Sequence, residues 1–258
     1  MDEFGEWRAV ARDLMQVSLD IFATSNVRLT EKGYGDEKFL ALTLLARTIS
    51  NFRGALLLLD NRRVIEGRII TRSCLENVFW VGSLVEEGEK FAREMLHDTM
   101  SHRQKAGQRI FASGATLGDE VEARLREWLR TNSKNFGNSK QLNPKAVADR
   151  TDIGRTYIFY EQLSSDSCHP SLDALNRHVM PHTDAEIGGV DVEPVPSARE
   201  LAETLEYLSM AVMGVCVGVN QLVGGTRGGA ALNALADRLS DVSNRAAASR
   251  GIESGREV

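Results

Sequence analysis

The chain has 258 residues, 42% of them hydrophobic and 26% charged, with a formal net charge of −5. That length can fill one large core or two small ones, and the composition is ordinary for a globular protein. The negative balance excludes a nucleic-acid binder held by overall charge, and the scarcity of aromatics and of strand-type alternation points to a mainly helical chain.

In chain order, Glu6 to Ser25 fits an amphipathic helix with Trp7, Val10, Leu14, Val17 and Ile21 on one stripe. Asn26 to Gly35 is a connector broken by Gly33 and Gly35. A second helix spans Asp36 to Leu59 and should bury Phe39, Leu42, Ala46, Ile49, Phe52 and Leu56. Asp60-Asn61 then folds it back onto the next helix.

That next helix, Asn61 to Glu87, is the centre of the chain. Ile65, Ile69, Leu75, Phe79, Trp80, Ile70, Val78, Val81 and Val85 place apolar side chains nearly all the way round it, so it should be enclosed by others. Arg72 and Glu76 nevertheless project from its apolar arc four residues apart, as neighbours on one face, and Arg68 flanks them. Charges in such a place should be paired, and they mark a candidate site.

A more polar helix follows over Lys90 to Ser113, with Phe91, Met95 and Ile110 as its contacts. A shorter one over Asp119 to Ser133 carries Val121, Leu125, Trp128 and Leu129. Asn132 to Asn143 is polar and rich in Asn and Ser, the composition of a mobile loop. Asn143-Pro144 caps a short helix, and Thr151-Asp152 caps another that carries Tyr157, Ile158 and Tyr160 towards Ser165. Met180 to Ser197, with Gly188-Gly189, fits a small hairpin or irregular arm. Ser197 caps a long helix from Ala198 to Val223, in which Gly214 and Gly218 let another helix approach. Its apolar stretch Met210 to Val219 is too short to span a bilayer, so no membrane partner is expected. Gly224 to Gly229 is a hinge without the ending of a phosphate loop. A last helix spans Ala230 to Ala247, and 248–258 should fray. No repeat or domain boundary interrupts 1–247. The expectation is one all-α domain, a bundle of seven to nine helices.

Among residues able to carry chemistry, Cys74, Cys168 and Cys216 have no metal or redox spacing, and with no signal peptide the expected compartment is the cytoplasm. His97 and His102 are five apart and do not share a helix face, so no metal or cofactor is expected. No nucleophile elbow is present. His169 stands out, between Cys168 and Pro170 in a run with Ser164, Ser165, Ser167 and Ser171, whose hydroxyls could hold an imidazole in one tautomer. If it meets the central helix, Arg72 would fix an anionic group, Glu76 would pair with Arg72 or take a proton, and His169 would act as acid or base. The same three residues also fit a buried polar cluster between helices, whose disruption would cost about 3–5 kcal/mol without any chemistry.

The stretch FRGALLLLDNRRVIEGRIITRSCLENV and the later LSSDSCHPS resemble a bacterial family known as a domain of unknown function, over residues 39–175. Its R-S-x-x-E and H-P-S motifs fall on Arg72, Ser73, Glu76, His169, Pro170 and Ser171. The resemblance implies an all-helical fold and no established activity. At the level of fold the chain is also similar to HEPN helical bundles, some of which are metal-independent ribonucleases of defence and toxin systems. Those enzymes carry a polar residue and an Arg followed within four to six residues by His. Here Arg155 precedes His169 by fourteen, so a site would have to be assembled from Arg72 and His169 in space. The leading expectation is a binding or interaction module organised by Arg72, Glu76 and His169; the alternative is a HEPN-like ribonuclease. RNA, a protein and a second copy of the chain remain open as partners.

Overall fold

The computed structural model describes residues 2–136, 141–183 and 188–254, in which ten α-helices and one two-stranded hairpin are formed. Helix α1 (Glu3–Thr24) starts where the Asp2 carboxylate accepts the Gly5 N–H and buries Trp7, Val10, Leu14 and Ile21, as its apolar spacing requires. In α2 (Glu37–Asp60) Asp36 caps the amides of Lys38 and Phe39. Its buried face carries Leu40, Ala41, Leu45, Thr48, Ile49, Phe52, Ala55, Leu56 and Leu59, whereas Phe39, Leu42 and Ala46 are only partly covered. The expected stripe was therefore misplaced along the first half of the helix. Two neighbours, α3 (Val64–Glu87) and α9 (Ala198–Leu222), both press on α2, and together they select its contact face.

The turn between α2 and α3 closes in the left-handed region: Arg62 has φ +58° while its N–H and that of Arg63 bond the carbonyls of Leu59 and Leu58. Arg62 has no glycine's freedom there, and its side chain is fastened to the Pro196 carbonyl at 2.7 Å. Helix α3 (Val64–Glu87) thus begins three residues later than expected. It is the central element, packed on α2 and α9. Gly214 and Gly218 of α9 (Ala198–Leu222) make the approach close, for a methyl group at either would lie 3.1 Å from Val78 or 2.5 Å from Val81. Enclosure is incomplete. Ile69, Arg72, Ser73 and Glu76, spaced i, i+3, i+4, i+7, form a stripe that no helix fully covers, and Ile69 is 41% exposed.

Helices α4 (Glu89–Ala112) and α5 (Asp119–Phe136) pack together where Gly107 admits Leu125 and Leu129. Phe91 is buried, but Ile110 and Val121 face solvent, because the pair meets along the Gly107 side instead. Helix continues through Phe136 across the start of the expected loop; 137–140, the rest of its centre, lie outside the described residues. Asn143 caps α6 (Pro144–Ala148) through the Ala146 amide. A 3-10 turn, Asp152–Thr156, leads to α7 (Tyr157–Leu163); Thr151 makes no cap and instead bonds the Ala148 carbonyl.

The arm at 179–190 is a short antiparallel hairpin, β1 (Val179–Met180) on β2 (Gly189–Val190), with Val179 opposite Val190; 184–187 lie outside the described residues. It follows α8 (Leu172–Asn176). Ser197 and Glu200 form a reciprocal capping box at the start of α9. The last helix, α10 (Leu232–Ser254), runs past the expected end at Ala247, and 255–258 lie outside the described residues. By length and composition alone α2 and α9 are apolar enough to cross a membrane, but 44% of the apolar window of α2 and 72% of that of α9 are buried inside the bundle, as core helices are.

Candidate functional site

The site is built where the open stripe of α3 meets α7 and the turn that follows it. Helix α7 ends in a widened π turn, Ser164–Cys168, closed by His169 N–H donating to the Ser164 carbonyl. Its serines favour this opening. Ser164 Oγ donates back to the Tyr160 carbonyl at 2.7 Å and Ser167 Oγ to the Leu163 carbonyl at 2.5 Å, competing with the regular ladder. Pro170 then holds the residue before it extended, and His169 has φ −114° and ψ 145°. Ser171 restarts the chain as helix α8 by accepting the Ala174 N–H, and its own hydroxyl donates to the Ser165 carbonyl. The sequence S-S-D-S-C-H-P-S therefore turns His169 out of the helix and leaves it exposed.

Arg72 is held from three sides. Its Nε donates to Ser164 Oγ at 2.6 Å, its Nη2 donates to the Tyr160 hydroxyl, and Nη2 lies 3.5 Å from Glu76 Oε1. Tyr160 in turn donates to Glu76 Oε1 at 2.9 Å. Burial, and then the hydrogen bond to Glu76, push the Tyr160 phenol well above its ordinary range, so it stays a donor. The Tyr160 ring is itself fixed, stacked on Tyr157 with centroids 5.2 Å apart and edge-on to Phe79 at 5.9 Å.

Arg72, Tyr157, Tyr160, Glu161, Ser164, Ser165, His169 and Ser171 line one open pocket of about 380 Å³. The structure thus brings Arg72 and His169, far apart in the chain, to a common cavity. Three expectations are corrected. The cluster is not buried: the Arg72 and Glu76 side chains keep 24% and 28% of their exposure, because α7 reaches only one side of the open stripe. Glu76 does not line the pocket; it braces Arg72 and Tyr160 from behind. Nor do Ser164, Ser167 and Ser171 hold the imidazole, since their hydroxyls are spent on the backbone and on Arg72.

A second network, missed in the sequence, anchors the turn. Arg68, almost fully buried, donates to Thr204 Oγ1 at 3.1 Å and pairs with Asp166, the middle residue of the π turn. Arg177 binds the other Asp166 oxygen at 2.5 Å and Glu200 at 3.4 Å, and Glu203 lies 3.8 Å from Arg68. Buried charges are tolerated because each finds an opposite partner. Of this set only Arg68, one helical turn before Arg72, gave a sequence signal. Tyr160 and Ser164, four apart and so neighbours where α7 runs into the π turn, were the legible half of the Arg72 clamp.

The remaining polar candidates stand apart. His102 faces Asp98 at 3.5 Å, His97 lines a different cavity with Glu94 and Arg150, and Arg155 is exposed outside the pocket. Cys74 and Cys216 are buried core residues, and burial raises their thiols to about 12 and about 11, respectively.

Fold and site together define an all-helical bundle protein with a polar pocket on the open edge of its central helix. Comparison with curated proteins and with solved structures finds no match. The chain belongs to the family described as "Family of unknown function (DUF5677)", whose model matches residues 38–187 and so contains Arg72, Glu76 and His169.

Proposed function

We propose that the protein is a cytoplasmic binding module whose ligand enters the pocket between α3, α7 and the π turn. The observation that carries this reading is an arginine pre-set by Ser164, Tyr160 and Glu76 at the wall of an open pocket that it shares with an exposed histidine. Nε and Nη2 of Arg72 are spent on the fold while Nη1 has no partner among the described residues, and fixing Arg72 in advance removes part of the entropy cost of binding. The three free cysteines, two of them buried, support a reducing compartment.

Thermal melting against a library of small neutral, carboxylate, amine and phosphate compounds tests the reading. Ligands that bind the native state raise its melting temperature, by the equivalent of about 2.7 kcal/mol at a hundredfold excess over Kd. Hits on the wild type should vanish with Arg72→Ala and with His169→Ala. Hits that survive in both variants would place binding elsewhere and defeat the proposal.

A second reading, a HEPN-like metal-independent ribonuclease, is favoured by one observation: Arg72 and His169 line the same solvent-open pocket. His169 would transfer the proton and Arg72 would stabilise the phosphate charge. Cleavage of labelled structured RNA in EDTA by wild type, lost in a His169→Ala variant that melts normally, would support it. Intact RNA would dismiss it.

A further inference from the structure

We propose that the group recognised in this pocket is a phosphate monoester carried by a small organic molecule. The proposal rests on the binding-module reading and deepens it.

With Nε on Ser164 and Nη2 on Tyr160 and Glu76, the remaining nitrogen of Arg72, Nη1, has no partner among the described residues. The His169 ring, the Tyr157 hydroxyl and the Ser165 hydroxyl also have none there. The pocket wall therefore offers one guanidinium nitrogen, one imidazole and two hydroxyls, all able to donate.

This set fits a tetrahedral oxyanion better than a carboxylate. A carboxylate is held best by the parallel fork of an arginine, two adjacent N–H groups on two oxygens. The fork of Arg72 that includes Nη2 is already engaged with Tyr160 and Glu76, which leaves Nη1 as a single-nitrogen contact. The three terminal oxygens of a phosphate point in three directions, so separate donors on α3, on α7 and beyond the π turn can each take one.

Size and charge choose the body of the ligand. About 380 Å³ exceeds a bare phosphate and lies within the range of small-molecule sites, roughly 300–1,000 Å³. A nucleic-acid strand would need several cations along its track. Here the lining supplies one arginine, the carboxylate of Glu161 stands on the rim, and the chain has a net charge of −5. Glu161 suits a hydroxyl or amine of the ligand and opposes a polyanion. A nucleobase stacked on Tyr157 is disfavoured as well, because Tyr160 covers one part of that ring and the Lys145 ammonium stands 5.2 Å from its centroid.

The test titrates wild type, Arg72→Gln and His169→Gln with inorganic phosphate, ribose 5-phosphate, glycerol 3-phosphate and phenyl phosphate, read by calorimetry and by phosphorus NMR. The parent alcohols, acetate and a short single-stranded RNA are run alongside. Arg155→Gln serves as a surface-cation control, and melting curves show which variants remain folded. The proposal expects saturable binding of at least one phosphomonoester, weakened tenfold or more in both pocket variants and unchanged in the control, with no binding of the alcohols. Acetate binding as tightly as the phosphomonoesters would overturn it, as would RNA binding in the absence of any phosphomonoester. A carboxylate or neutral ligand from the thermal library that depends on Arg72 and His169 would overturn the phosphate assignment and leave the binding module standing. Loss of both results would remove both.

Discussion

The Arg72 guanidinium lies over the Tyr160 ring, its central carbon 4.3 Å from the ring centroid, while Nη2 of the same arginine donates to the Tyr160 hydroxyl. One tyrosine thus supplies both a face and a polar edge to the residue that leads the candidate site. The hydroxyl passes the contact on to Glu76, so that α3 and α7 are joined by an Arg–Tyr–Glu chain at the mouth of the pocket.

Removal of that hydroxyl separates the two contributions. Tyr160→Phe keeps the ring beneath Arg72 but leaves Arg72 and Glu76 without their bridge. We expect destabilisation of about 1–3 kcal/mol by urea unfolding, together with weaker ligand binding. Unchanged stability would mean that the chain carries no net free energy.

Arg68 is expected to matter more for folding than Arg72. It is nearly sealed from solvent and holds Asp166, Glu203 and Thr204 together. Arg68→Ala leaves acidic partners without their buried cation and should cost about 3–5 kcal/mol in chemical denaturation. Arg72→Ala, at a half-open edge, should cost less. A reversed order would contradict the division of the arginines into an anchoring one and a ligand-facing one.

The α3–α9 contact can be probed at Gly218. A methyl group there would lie 2.5 Å from Val81 Cγ1, and the branched valine has little rotamer freedom to retreat. Gly218→Ala should destabilise by about 1–3 kcal/mol, and adding Val81→Ala should recover part of the loss. A double-mutant cycle with no coupling energy would show that the helices can shift apart.

Acid should loosen the start of α4. The hydrogen bond from Lys90, helped by Arg150, holds the Glu87 carboxyl below its ordinary value. A group depressed in the folded state contributes stability that is complete above its unfolded value, about 4.3, and is lost as pH falls through the folded value. Melting temperature should therefore drop below about pH 4.3, and less steeply in Glu87→Gln. Superimposable profiles would exclude Glu87 as a source of that acid sensitivity.

Local residue preferences set the helical class and most of the helix ends. Asp2, Asp36, Asn143 and Ser197 cap helices because their short polar side chains reach free amides within the same turn, a purely local interaction. Gly214 and Gly218, one turn apart, already implied a close helix neighbour. The sequence also singled out Arg72, Glu76 and His169, since charges in an apolar arc and a histidine before proline are visible without coordinates. What those residues face depends on how the helices pack. Whether α3 is enclosed all round depends on where α7 lies, and the turn that ends α7 is held by the pairs Arg68–Asp166, Arg177–Asp166 and Arg177–Glu200, whose members are 98, 11 and 23 positions apart. Such long-range pairings leave no period in the sequence. For the same reason the first half of α2 buries Leu40, Ala41 and Leu45 in place of Phe39, Leu42 and Ala46, while Ile49, Phe52 and Leu56 are buried as expected: periodicity reports that a helix has an apolar side, but the neighbours α3 and α9 select which atoms of it are covered.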